Sequence, residues 1–216
     1  MIPSNQSTPA ASQASPNPWR RRGAALLALA ATLLAIPAQA GDNLIPNGTF
    51  DHQQGPLHGW VTDYAFSGNS HYMGNKDRVK VADGKATLKA ASDAGVKMEC
   101  IPIPLERGYK YTAEFSIKSS DMSRVYFAGY KWKPGIRPHD NPELGELRMI
   151  YKSKADTGAK KSMGKMKIEL PGVKLSSAAK NALKYVRFVT LYVWIRKEGS
   201  IDDVTITRTK DPDMDF

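Results

Sequence analysis

Between Tyr109 and Lys118 apolar and polar residues alternate without a break: Tyr109, Tyr111, Ala113, Phe115 and Ile117 against Lys110, Thr112, Glu114, Ser116 and Lys118. Successive side chains of a strand point to opposite faces, so this segment is a strand that buries one face. The pattern recurs. Residues 78–82 and 86–90 alternate in the same way and are separated by Asp83-Gly84, a pair that accepts the positive φ angles of a tight hairpin turn. Residues 96–103 continue the alternation up to Pro102 and Pro104, and residues 105–108 turn the chain. Residues 125–132, 147–152 and 165–170 are further strands. Residues 185–196 form the longest, apolar on both faces; Glu198-Gly199-Ser200 turns the chain, and residues 201–207 are the last strand. Only residues 176–183 suggest a helix, of about two turns. Short strands with turns every 8–12 residues, no βαβ alternation and no internal repeat predict an all-β sandwich or jelly roll.

The composition is that of an ordinary globular chain: 216 residues, 41% hydrophobic and 24% charged, enough for one domain or two small ones. A single cysteine, Cys100, excludes an intrachain disulfide and the spacings of zinc fingers and iron–sulfur sites. The first forty residues read as a segment that is removed. Arg20, Arg21 and Arg22 precede a 13-residue apolar run, Ala24 to Ile36. Pro37 breaks the run, and Ala38-Gln39-Ala40 has the small-x-small form of a signal-peptidase site. The run is too short for a membrane span. The expectation is a secreted or periplasmic protein cleaved after Ala40, with residues 41–216 as a single domain and no integral membrane association. Cleavage leaves 28 basic and 21 acidic residues, a net charge of +7. That balance suits either acidic partners or simply a solvated basic surface.

Two strands show aromatic residues on the face opposite their core. Val125, Phe127 and Gly129 share one face of their strand; Tyr126, Tyr130 and Trp132 share the other. Val189, Leu191, Val193 and Ile195 share a face of the long strand, with Tyr192, Trp194 and Arg196 opposite. Sugar rings pack their C–H faces on aromatic rings while their hydroxyls hydrogen-bond to polar neighbours, and Tyr and Trp serve both needs. Tyr126, Tyr130, Trp132, Tyr192, Trp194 and Arg196 are therefore candidate ligand contacts. The competing reading is a minor core covered by loops. Tyr64, Phe66 and Tyr72 either line a loop-built site or staple their loop. The loop at residues 133–146 carries three prolines, and loops of that length are often functional. Residues 152–167 hold six Lys against one Asp and read as a solvated hairpin tip.

At the C-terminal end, strict alternation places Asp202 on the face of Val204 and Ile206, pointing inward. A buried carboxylate is costly unless paired or metal-bound, and calcium with its hard oxygen ligands is one solution. Asp51, just after the expected first strand, is the second candidate ligand, with backbone carbonyls near Asn47 or Thr49 completing the shell. The alternative is that Asp202 accepts backbone hydrogen bonds in a turn.

Enzymatic readings find little support. Asp140, Glu143 and Glu146 are close in sequence but lie in a proline-rich loop with no acid/base context for glycoside hydrolysis. His52, His58, His71 and His139 lack metal-ligand spacing, and neither G-x-S-x-G nor a P-loop occurs. Tyr126-Phe127-Ala128-Gly129-Tyr130 is faintly similar to a strand of jelly-roll alginate lyases, but the Q-[IV]-H and R-x-E-x-R segments of that family are missing.

Three segments together carry a family likeness. The chain has Asn43-Leu44-Ile45-Pro46-Asn47-Gly48-Thr49-Phe50-Asp51 with Gly59-Trp60 following, then Gly108-Tyr109-Lys110-Tyr111-Thr112-Ala113-Glu114-Phe115, and near its end Ile201-Asp202-Asp203-Val204. In order and spacing they resemble carbohydrate-binding modules of families four, nine and twenty-two, which open N-L-hydrophobic-x-N-G-x-F-E with G-W after it and close I-D-D-V. Asp51 stands where the family has Glu, and residues 131–167 match no family pattern. The resemblance implies a jelly-roll β-sandwich of two antiparallel sheets, like galactose-binding domains, with Trp60 in the framework and usually one structural calcium. It implies a non-catalytic protein that binds a polysaccharide or oligosaccharide, alone or as accessory to a glycoside hydrolase; with the basic balance the expected ligands extend to anionic glycans, and nucleic acid is not expected. A structural or adhesive envelope protein is the alternative.

Overall fold

The computed structural model describes residues 42–62, 75–153, 158–172 and 175–212. The export signal read above lies outside these residues, as do Tyr64, Phe66 and Tyr72. The described strands form two sheets in which every pair is antiparallel. The larger runs β1 (Trp60–Val61), β4 (Val96–Cys100), β10 (Phe188–Ile195), β7 (Ser123–Trp132), β8 (Leu147–Lys152), with β5 (Ile103–Pro104) also on β10. The smaller runs β2 (Val79–Ala82), β3 (Lys85–Lys89), β11 (Glu198–Lys210), β6 (Tyr109–Ser119), β9 (Lys160–Leu170). The sheets pack face to face: Met98, Phe127, Leu191 and Val193 of the larger join Tyr111, Phe115, Ile117, Val204 and Ile206 of the smaller in one core. The chain is the jelly-roll β-sandwich that its alternation and motifs predict.

Local chemistry explains the details. Asp83 (φ 50) and Gly84 (φ 69) are both in the left-handed region, as a two-residue hairpin turn between twisted strands requires. Ser176 caps the helix α1 (Ser177–Leu183), its hydroxyl accepting from Ala179 N at 3.2 Å, and buried Leu183 closes the core at that end. Trp60 is framework: its indole N–H donates to the Asn47 carbonyl at 2.8 Å and its ring stacks on Phe50 at 5.2 Å.

Four expectations need correction. Glu198-Gly199-Ser200 is not a turn but the start of β11, and the chain bends one step earlier, at Arg196-Lys197. Residues 152–167 do not form a hairpin tip, because β8 and β9 belong to different sheets; β9 is instead an edge strand whose exposed lysines discourage pairing with other chains. Residues 43–50 are not a strand but an irregular strap along β11, tied by Leu44 N to Ile206 O at 2.8 Å and Val204 N to Gly48 O at 2.9 Å. Asp202 does not share a face with Val204. A bulge shifts the register of β11 between Asp202 and Thr205, with Asp203 at φ 51. The extra residue resets the phase, so Ile201 and Val204 both point into the core while Asp202 is half-exposed.

Candidate functional site

The outer face of the six-stranded sheet carries the sequence-derived candidates, and the strand register arranges them in rows. Tyr192 lies between Glu99 of β4 and Tyr126 of β7. Its ring stacks on Tyr126 at 4.5 Å with the planes 13° apart. Thr190 pairs with Ala128, and Phe188 with Tyr130. At one end of the face Trp194 pairs with Lys97 and Arg124; at the other Trp132 pairs with Leu147 of β8. Five of the six candidates are thereby brought onto one surface by two adjacent strands, β7 and β10. Arg196 is not among them. It sits beyond the end of β10 in the bend between sheets, 3.8 Å from the Asp93 carboxylate, because β10 ends at Ile195.

A polar group lies at the centre of this apolar face. Glu99 is fully buried and its Oε2 accepts two hydrogen bonds, from the Tyr130 hydroxyl at 2.7 Å and the Thr190 hydroxyl at 2.9 Å. Lys97, two residues earlier on the same strand face, is also fully buried, with Nζ 5.9 Å from the centre of the Tyr192 ring. Burial lowers the Lys97 ammonium to about 8, the Glu99 charge opposing part of that shift. Burial, aided by the Glu99 carboxylate, pushes the Tyr130 phenol well above its ordinary value. Lys97, Glu99, Thr190 and Phe188 were not singled out in the sequence. Lys97 and Glu99 look like the solvent side of an alternating strand. The signal that could have found them is Thr190, a polar residue in an otherwise apolar strand.

The face is partly roofed. Trp132 packs edge-on against Phe188 at 5.4 Å and against His139 at 5.0 Å, so the 133–146 loop lies over that end. Leu144 of this loop joins Tyr130, Phe188 and Tyr192 in a second apolar cluster. Glu146 serves the loop itself: it accepts from Glu143 N at 2.9 Å and contacts His139 at 3.1 Å. Those interactions hold its carboxyl below the ordinary range and give it a structural role. Trp194 is held by its indole N–H, which donates to Ala94 O at 2.9 Å. Gly95 lies directly beneath the ring, where a Cβ would come within 2.4 Å.

The candidate calcium ligands lie elsewhere, beside the strap. Asp202 is pushed above its ordinary value by burial and by the charges of Asp203 and Asp51, while Asp203 N–H and Lys85 act the other way. Its Oδ1 accepts from Asp203 N at 2.7 Å, the backbone bond that the alternative reading foresaw. Asp51 is exposed and accepts from the Thr49 hydroxyl. Among the described residues no three His, Cys, Asp or Glu side chains gather as a metal group. A cation here would have two carboxylates and would draw its remaining ligands from backbone carbonyls, which is compatible with calcium.

No protein-family model matches this chain, and no curated protein does. Solved structures similar to it include a family 4 carbohydrate-binding module at 16% identity and TM-score 0.46, over 76% of this chain and 99% of that one. The N-terminal cellulose-binding domain of Cellulomonas fimi β-1,4-glucanase C matches at 15% identity and TM-score 0.46, over 77% and 97%. A family 61 module, solved with β-1,4-galactotriose, matches at 15% identity and TM-score 0.43, over 77% and 99%.

Proposed function

We propose that this chain is a non-catalytic glycan-binding protein whose ligand lies on the outer face of the six-stranded sheet. The observation that carries the reading is the buried Glu99–Tyr130–Thr190 group with Lys97 beside it, bracketed by the Tyr126–Tyr192 stack and the two tryptophans. Burying ionisable groups is weak as a stabilising device, and apolar residues of similar volume serve a core as well or better. Oriented donors and acceptors set among aromatic rings are what sugar hydroxyls and C–H faces need. Burying about 100 Å² of ring surface at about 25 cal/mol/Å² contributes roughly 2.5 kcal/mol per platform. Two platforms, less the cost of immobilising the ligand, give micromolar-to-millimolar dissociation constants. Secretion after cleavage at Ala40 belongs to the same reading, as does a structural calcium held by Asp51 and Asp202 with nearby backbone carbonyls.

One observation favours a second reading. Tyr130, Phe188 and Tyr192 are each less than a tenth exposed, as a minor core under the 133–146 loop requires, and the chain is then a structural sandwich. Titration calorimetry with oligosaccharides separates the two, using Tyr126→Ala, because Tyr126 is half-buried and its ring lies flat on Tyr192. The glycan-binding reading expects affinity to fall tenfold or more, about 1.4 kcal/mol, with a melting temperature within a few degrees of the parent. A large loss of stability, with no oligosaccharide bound by the parent, establishes the structural reading.

A further inference from the structure

We propose that the outer sheet face takes an acidic glycan, one whose sugars carry carboxylate or sulfate groups. This rests on the glycan-binding reading and narrows it. The strands of the six-stranded sheet contain five Lys or Arg residues and a single acid, Glu99. The register places three of those cations on the aromatic face. Trp194 pairs with Lys97 on one side and Arg124 on the other, so one row across the sheet reads cation, indole, cation. The Arg124 guanidinium lies 5.2 Å over the Trp194 ring. Lys152 pairs with Ala128, two rows further along β7.

Arg124 and Lys152 are exposed, and the half-buried Tyr126 ring lies between their rows. At about 3.3 Å per residue the two rows are roughly 13 Å apart along the strand. A sugar ring packed on Tyr126 therefore has a positive group within reach at either end. The acid of the face offers no matching repulsion at its surface: Glu99 is buried and already accepts from Tyr130 and Thr190. Neutral sugars would use the rings and the hydroxyls and gain nothing from the two positive charges. Anionic groups would convert both into charge-assisted hydrogen bonds, roughly twice as strong as neutral ones. Exposed pairs of this kind are screened by salt, which gives the proposal a signature that ring stacking lacks.

The test is calorimetric titration of the purified chain with hexasaccharides of galacturonic acid, of sulfated chondroitin, and of the neutral series cellohexaose, xylohexaose and mannohexaose. At 50 mM salt an acidic hexamer should bind at least tenfold more tightly than every neutral one, and most of that advantage should vanish at 500 mM. The galacturonate hexamer carries carboxylates alone and the sulfated chondroitin carries carboxylates and sulfates, so comparing the latter with its desulfated form tells sulfate from carboxylate recognition. Arg124→Gln with Lys152→Gln should lower acidic-hexamer affinity tenfold or more. A charge-matched control on the other sheet, Lys80→Gln with Lys118→Gln, should leave it unchanged. Neutral hexamers binding as tightly as acidic ones overturn the inference and leave the glycan-binding reading standing. An equal loss in the control overturns it too, since the attraction would then come from overall charge. If no hexamer binds, the inference fails together with the reading beneath it.

Discussion

A Cβ on Gly48 would lie 1.7 Å from the carbonyl oxygen of Val204, so any side chain there forces the strap away from the last strand. The clash is backbone against side chain and has no rotamer to relieve it. Gly48→Ala should cost several kcal/mol, in the exceptional range for a single substitution. Gly145→Ala, with nothing within 4 Å of its added carbon, should change stability by less than about 0.5 kcal/mol; denaturant unfolding of the two variants checks both. Lys97 gives a pH-dependent expectation. Its folded value, about 8, lies below the ordinary 10.5, so the fold favours the neutral amine. Its contribution is complete above 10.5 and is lost as pH falls through 8. Stability should therefore rise from pH 8 upward relative to the paired variant Lys97→Met/Glu99→Gln, as measured by unfolding at pH 7.5, 8.5 and 9.5. The paired comparison also cancels the burial part, the largest, of the Cys100 shift, which pushes that thiol up to about 12 and whose contribution runs the opposite way above pH 9. A difference that stays flat across this range shows that Lys97 is not held in the way described.

Among the elements, those written in strict alternation were legible and those with an inserted residue were not. β6 has the face that its sequence assigns, with Tyr111, Ala113, Phe115 and Ile117 all buried. Asp83-Gly84 forms the turn that its chemistry predicts. The bulge in β11 left no such mark: Ile201-Asp202-Asp203-Val204 reads as unbroken alternation if phased from Val204, and only the partner strand reveals the extra residue. The strap was misread for a related reason, since Asn43 and Asn47 use their side chains where a strand would use its backbone. Asn43 Oδ1 accepts from Ile206 N at 2.8 Å, and Asn47 Nδ2 donates to Pro56 O at 2.9 Å. The strap and the bulge together carry the calcium proposal. Chelation should lower the melting temperature, and excess calcium should restore it by mass action. Asp202→Asn should abolish the response. Identical melting curves with and without chelator reject the metal. Asp202 alone would then favour folding at low pH, because a carboxyl raised in the folded state loses its contribution as pH rises through that value.

For the molecule as a whole, the sandwich was readable because most of the nine strands read from the sequence state which of their faces is apolar, and those statements leave few arrangements. The candidate site was half readable. Tyr126, Tyr130, Trp132, Tyr192 and Trp194 declare a second apolar face on strands that already have one. Lys97 and Glu99 do not, because a sequence cannot say that the solvent side of a strand will be covered. Arg196 failed for want of the strand's end point, a matter of one residue. The connectivity has a further consequence, for the timing of folding. Without β10 and β11 the sheets reduce to four separate two-stranded pairs: β1 with β4, β7 with β8, β2 with β3, and β6 with β9. Two-stranded ribbons of this kind are marginal in water. The last two strands, joined by the short bend at Arg196-Lys197, insert one into the middle of each sheet and splice all four pairs at once. A chain emerging from its N-terminal end should thus stay unfolded until β10 and β11 are made, and one ended at Arg187 should show no cooperative melting at all.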